Sequence, residues 1–244
     1  MTDTNTTDDE HRTADRLSDD AAENPRARTP GKGVTPAARD IDASAPEEFG
    51  LVQTWWGDGK GKTTAALGMA FRAAGHGYRV HLLQFMKGGA DSVEDVRGEY
   101  NAIAAIPGIS YENSGHYGWH AMADGTDEDD HAARAAAGFE RAQELVDGWS
   151  AVDLTEPLPL DGEPEAGAHM LVLDEVVYAA NRGLVDREDL LDLIESKPDS
   201  LELVLTGGHE EPEFLHEASD LITNVRKVKH PFDEGHRARK GTEY

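Results

Sequence analysis

The sequence predicts an α/β fold: an open, mostly parallel sheet with helices on both faces. Three observations predict it. Phe49 to Trp56 is an apolar run that reads as a buried strand, Thr54 to Thr64 (TWWGDGKGKTT) is a glycine-rich turn, and Thr64 to Ala74 is a helix-forming run of small and apolar residues. Strand-like and helix-like segments then alternate down the chain, which is the order a parallel sheet requires. His169 to Glu175 (HMLVLDE), finally, is an apolar strand that ends in two carboxylates.

The chain has 244 residues, and 23 Lys and Arg against 48 Asp and Glu give a net charge of −25. Length suits one domain plus a tail. So acidic a surface repels nucleic acid and anionic membranes, and it suits solubility in high salt, where self-repulsion is screened. There is no cysteine, which excludes disulfides, thiolate nucleophiles and Cys-ligated zinc. With no basic-then-apolar leader and no apolar run long enough to span a bilayer, the expected location is the cytoplasm.

In order along the chain, residues 1–48 are dominated by Thr, Asp, Ala, Arg and Pro, and are expected to form a disordered acidic tail. Its basic part, Arg26 to Lys32, reads as a solvated linker or as a segment that orders against an anion or a neighbouring subunit. Residues 49–244 form the folded domain. After the glycine turn and its helix, Gly75-His-Gly77 stops the helix and Arg79 to Phe85 is a second strand. Met86 to Ala90 is a loop, Ser92 to Ala105 a helix, and Pro107-Gly108 precedes a short strand over Ile109 to Glu112. Asn113 to about Asp130 has the polar, glycine-containing, aromatic composition of a functional loop. A long helix runs from about Asp130 to Trp149, and Asp153 to Glu165 is expected to be an exposed excursion without chemistry. The strand His169 to Glu175 is followed by short helices over Val176 to Ala180 and Arg187 to Ser196. Leu201 to Thr206 is another buried strand, Phe214 to Ala218 a short helix and Asp220 to Val228 the last strand.

Strand, glycine loop and helix together make a phosphate-binding arrangement of the P-loop NTPase-like kind. Gly57, Gly59 and Gly61 let backbone N–H groups converge, and the helix N-terminus adds partial positive charge. Asp58 and Lys60 place polar groups beside the turn, Lys62 brings a point charge to the phosphates, and Thr63, with Thr64 behind it, offers a hydroxyl to Mg²⁺. The usual spacing has a glycine where Trp56 stands, so the strict pattern fails. Asp174 and Glu175 sit where a carboxylate would hold Mg²⁺ opposite Thr63. His116 and His120 have a ligand-like spacing, but Gly115 and Gly118 oppose a helix there and no third ligand is evident. Tyr117 and Trp119 either wall a flat apolar ligand or pack beneath the loop. Arg226 to Lys240 is locally basic, reading as a site for a small anion or as a solvated tail.

Taken together these motifs resemble the P-loop type of ATP:corrinoid adenosyltransferase. The likeness runs from about Gly50 to Tyr244. It rests on Gly57 to Ala66 (GDGKGKTTAA), Arg72 to Gly77, Gln84 to Gly88 (QFMKG), Leu173-Asp-Glu175, Leu205-Thr-Gly207, Lys229 to Gly235 (KHPFDEG) and the closing Gly241-Thr-Glu-Tyr244. The resemblance implies ATP as co-substrate, held in the reverse sense to ordinary P-loop enzymes, with Mg²⁺ at Thr63 and Glu175. It implies a corrinoid as the other substrate, an electron donor such as a flavoprotein reductase, and a homodimer in which an N-terminal segment can cover the neighbouring site. His116 with Tyr117 or Trp119 would close off the lower face of the corrin. Where relatives often read Thr-Gly-Arg, this chain has Thr206-Gly-Gly208; the acidic tail and the 153–165 excursion are further departures.

The expected activity is therefore transfer of the 5′-deoxyadenosyl group of ATP to a corrinoid cobalt(I), with release of tripolyphosphate, in adenosylcobalamin biosynthesis or salvage. Two other readings are a P-loop kinase or ATPase and a nucleotide-gated corrinoid carrier without turnover.

Overall fold

The computed structural model describes residues 38–86, 98–114, 128–236 and 239–242. The chain divides into two compact units, Met1–Asp40 and Ile41–Tyr244. Of the first, only residues 38–40 are described, and they carry no regular secondary structure.

The second unit is built on six strands, β1 (Val52–Trp56), β2 (Val80–Gln84), β3 (Ile109–Asn113), β4 (Met170–Asp174), β5 (Glu202–Thr206) and β6 (Leu221–Asn224), in the order β3-β2-β4-β5-β1-β6. Every neighbouring pair is parallel, so the sheet is wholly rather than mostly parallel. β2, β4 and β5 are buried at every residue, which is why they read as continuous apolar runs and not as alternating ones. Helices α1 (Lys62–Gly75) and α2 (Gly98–Ala104) share one face of the sheet. Helices α3 (Glu128–Trp149), α4 (Val176–Asn181) and α5 (Arg187–Ser196) cover the other.

The two faces are packed differently. Helix α1 buries only Ala66, Ala70, Ala73 and Ala74. Small side chains bring a helix axis close to a sheet, and that closeness carries the first turn of α1 to the strand ends. The opposite face holds Leu171, Leu173, Leu203, Leu205, Phe139, Leu145 and Trp149, all buried. Burial of large apolar surface there stabilises the domain.

Differences from the sequence reading have local causes. Helix α1 begins at Lys62, because Gly61 takes φ 117° and turns the loop straight into the helix. The segment expected to be a helix from Ser92 is helical over Gly98–Ala104, and residues 87–97 lie outside the described ones. Phe214 to Ala218 is not a helix: a single 3-10 turn, Glu213–Leu215, buries Leu215. The last strand stops at Asn224, where the chain leaves the sheet to lie along the glycine loop. The 153–165 excursion is mostly exposed but anchored. Leu154 and Leu158 are buried, and the Gly162 and Pro164 carbonyls accept from Arg79 Nη2 at 2.6 Å and Trp149 Nε1 at 2.9 Å. Residues 41–48 pack with the second unit, with Pro46 buried and the Ser44 N–H donating to the Gly77 carbonyl at 3.0 Å. No helix among the described residues is long and apolar enough to cross a membrane.

Candidate active site

Trp56 pairs with Asn224 at the C-terminal end of β1, and the glycine loop starts immediately after it. Gly57 has φ 126°, its N–H donates to the Gly208 carbonyl at 3.0 Å, and the Gly59 N–H donates to the Val225 carbonyl at 2.7 Å. A Cβ added at Gly57 would collide with the Val225 carbonyl, and one at Gly59 would meet the same oxygen at 2.6 Å. These two positions are glycine because another stretch of backbone lies against them, a role different from cradling phosphate. Gly61 is different: nothing lies within 4 Å of an added Cβ, and its φ of 117° is what starts α1. The part of the loop left open to an anion is thus the first turn of α1, whose leading N–H groups have no acceptor within the helix.

The charged residues of the loop have partners of their own. Lys62 folds back so that Nζ donates to the Gly57 carbonyl at 2.7 Å and the Gly59 carbonyl at 3.1 Å. Lys60 Nζ donates to the Thr242 carbonyl at 2.9 Å. Asp58 accepts the Lys227 N–H at 2.9 Å, and that hydrogen bond, more than any other influence, holds its carboxyl below the usual range. Val225, Lys227 and Thr242 therefore all touch the loop.

On the face of the sheet that α1 covers, strand ends bring Gln84, Asp174 and Thr206 side by side. Gln84 is level with Asp174 across β2 and β4, and Leu173 is level with Leu205, one residue before the pair Asp174 and Thr206. All three side chains are fully buried. Asp174 Oδ1 accepts from the Thr63 hydroxyl at 2.9 Å and the Thr206 hydroxyl at 2.6 Å, and Oδ2 accepts from Gln84 Nε2 at 3.0 Å. A buried carboxylate survives only with such donors. Asp174 thus joins three strands and the start of α1.

Glu175 follows at φ 66°, left-handed for a non-glycine residue, and caps α4. Its N–H donates to Thr206 Oγ1 at 3.0 Å, and its carboxylate lies over Gly207, where an added Cβ would be 2.9 Å from Oε2. The structure thus brings Thr63 to Asp174 and turns Glu175 toward the loop after β5. Gly208 has φ 75°, and a Cβ there would meet Asn181 Nδ2 at 2.9 Å. That backbone disfavours any side chain here, which suits the glycine that departs from the Thr-Gly-Arg pattern.

His116, Tyr117, Trp119 and His120 lie outside the described residues. Among the described residues no three His, Asp or Glu side chains converge as a metal cluster. The basic stretch after β6 pairs internally, Lys227 with Asp233 at 3.1 Å and Lys229 with Glu234 at 2.9 Å.

Residues 48–244 match the family described as ATP:corrinoid adenosyltransferase BtuR/CobO/CobP. The chain belongs to that family. A Corrinoid adenosyltransferase of Pseudomonas aeruginosa is 31% identical over 204 residues, covering 83% of this chain and 87% of the relative. Corrinoid adenosyltransferase CobA of Salmonella typhimurium is 31% identical over 207 residues, covering 83% and 89%. Corrinoid adenosyltransferase of Escherichia coli K12 is 27% identical over 203 residues, with 83% and 89% covered. For a corrinoid adenosyltransferase family member, the acidic residues 1–47 lie ahead of the matched region.

Sequence reasoning missed two members of the cluster. Thr206 and Gln84 were each read as part of a strand and of a family motif, with no role in the site. The available signal was a polar residue closing each of three apolar strands, Gln84, Asp174 and Thr206, at the end where a parallel sheet binds ligands.

Proposed function

We propose that this chain transfers the 5′-deoxyadenosyl group of ATP to the cobalt(I) of a corrinoid and releases tripolyphosphate. The family match across residues 48–244, which takes in the glycine loop, Asp174 and the C-terminal segment, carries the reading. The reduced cobalt is the nucleophile. A Co–C bond forms, the bond from the 5′ carbon to its triphosphate oxygen breaks, and the departing oxygen keeps the electron pair. No general base is required, so the protein's work is alignment and stabilisation of charge on the leaving group.

Lys62 supplies the largest share of that charge, exchanging the Gly57 and Gly59 carbonyls for phosphate oxygens. Lys60 makes a similar exchange from Thr242, while the α1 N-terminus adds its dipole and Thr64 its first-turn N–H. Gly57, Asp58, Gly59 and Gly61 hold the loop in the shape that allows this.

Thr63 and Asp174, hydrogen-bonded at 2.9 Å, would hold Mg²⁺, which takes one or two protein carboxylates and keeps several waters, and the adjacent Glu175 would join them by turning from Gly207. The fit has independent support in the buried, unpartnered amide oxygen of Gln84 beside Asp174. When bound, Mg²⁺ neutralises charge on the triphosphate.

His116, Tyr117 and Trp119 are assigned to the lower face of the corrin. The electron that makes cobalt(I) comes from a flavoprotein reductase, and the chain works in the cytoplasm as a homodimer. Residues 49–244, with the packed stretch 41–48, are the catalytic domain, and the acidic tail ahead of them has a basic part suited to a neighbouring subunit's site.

The test is incubation with cob(I)alamin and MgATP, following the absorption spectrum and the phosphate product. Adenosylcobalamin and tripolyphosphate are expected. ADP with phosphate would overturn the reading in favour of a kinase or ATPase, and corrinoid binding without alkylation would favour a carrier.

A further inference from the structure

Gln84 is fully buried at the C-terminal end of β2. Its amide nitrogen donates to Asp174 Oδ2 at 3.0 Å. A carboxylate can only accept, so chemistry fixes the amide with nitrogen toward Asp174 and oxygen away from it. That oxygen, Oε1, is shielded from solvent and has no hydrogen-bond partner. A side chain that only donates to Asp174 has no need of that oxygen, and burying a polar atom unpaired costs free energy. The other donors to Asp174 are the hydroxyls of Thr63 and Thr206, so oxygen atoms cluster beside the first turn of α1.

We propose that Gln84 is a positioning residue for the metal, its Oε1 accepting a hydrogen bond from a water molecule bound to the divalent cation. The inference rests on the Mg²⁺ reading given above. Mg²⁺ gives up its waters reluctantly, and each bound water is a strong donor that needs an acceptor. Acceptors outside the coordination shell set metal affinity by about tenfold to a hundredfold. Through Nε2 and Oε1 one amide would orient both Asp174 and a water on the ion. This gives the Gln84-Phe-Met motif a function that ATP contacts do not require.

The experiment is titration of the full-length protein with Mn²⁺ in the presence of ATP and without corrinoid, followed by electron paramagnetic resonance. Gln84→Met keeps the volume and removes both polar atoms; Thr206→Val removes a different donor to Asp174 and leaves Gln84 in place. The expected result is weakening of Mn²⁺ by about tenfold to a hundredfold in Gln84→Met. Thr206→Val should weaken it clearly less, and affinity for metal-free ATP should be unchanged in both. Equal weakening in the two variants would reduce Gln84 to a prop for Asp174 and overturn the proposal, as would an unchanged Mn²⁺ affinity in Gln84→Met. If Gln84→Met does not fold, Gln84→Asn, which withdraws the oxygen by one methylene, carries the same expectation. Absence of ATP-dependent Mn²⁺ binding in the unsubstituted protein would instead remove the metal reading itself.

Discussion

The two ends of the parallel sheet both bury polar and charged side chains, and they satisfy them in different ways. At the N-terminal end the partners are mainly backbone. Arg79 donates to the Gly162 and Glu163 carbonyls, His169 Nδ1 accepts the Arg79 N–H at 2.8 Å, Glu202 Oε2 accepts the N–H groups of Gly50 and Leu51, and Lys197 donates to the Gly50 carbonyl at 2.6 Å. At the C-terminal end the partners of Asp174 are side chains: Thr63, Gln84 and Thr206. Where both partners are side chains, as around Asp174, either can rotate and be exchanged for a ligand; where one is backbone, only the side chain can turn away, as is proposed for Lys62. The N-terminal end is a seam, and the C-terminal end holds the proposed site.

The largest effect expected from this contrast is at Lys62. Lys62→Ala should lower the rate of Co–C bond formation by about a thousandfold, read from the absorption change, with the melting temperature held within a degree or two. A variant that transfers at the normal rate, or one that fails to fold, would break the contrast.

His81, the second residue of β2, belongs with the seam. Burial pushes its imidazole down to about 4 despite the nearby Glu112 carboxylate. Its folded value lies below the unfolded one near 6.5, so the unfolded chain binds more protons between those values. Stability is therefore complete above about pH 6.5 and falls by roughly 3 kcal/mol as pH drops to about 4. Urea unfolding across that range should show the slope, and His81→Asn should flatten it.

Arg79 tests the same end by substitution. Arg79→Met should cost about 2 kcal/mol in urea unfolding, from lost hydrogen bonds to the anchored excursion, with kcat unchanged in the folded protein. The smallest effect is expected at Asp58. Asp58→Asn weakens its acceptance of the Lys227 N–H, and should raise KM for ATP about threefold with little change in kcat. A kcat effect there larger than that of Lys62→Ala would reverse the assignment of roles within the loop.

Much of this was legible in the sequence because it is local. Apolar strands flanking a glycine turn, small residues on α1 and paired carboxylates closing β4 are patterns within a dozen residues, and they locate the sheet and the Thr63–Asp174 pair. The remainder depends on distant segments. Nothing near Gly57 and Gly59 announces that Val225 lies against them, so their spacing reads as a failed motif until the fold supplies the neighbour. The anchoring of Leu154 and Leu158, and the early exit of β6 from the sheet, are contacts of the same non-local kind. The role given to His116, Tyr117 and Trp119 stays a proposal carried by family likeness.

The contact of Val225 with Gly57 and Gly59 also bears on how the molecule is made. Asp58 and Lys227 are 169 positions apart, and β1 is flanked by β5 and β6, both translated late. Because synthesis runs from the N-terminus, the glycine loop emerges from the ribosome before the strands that flank β1. A chain truncated before residue 225 therefore carries the motif without the backbone that lies against Gly57 and Gly59.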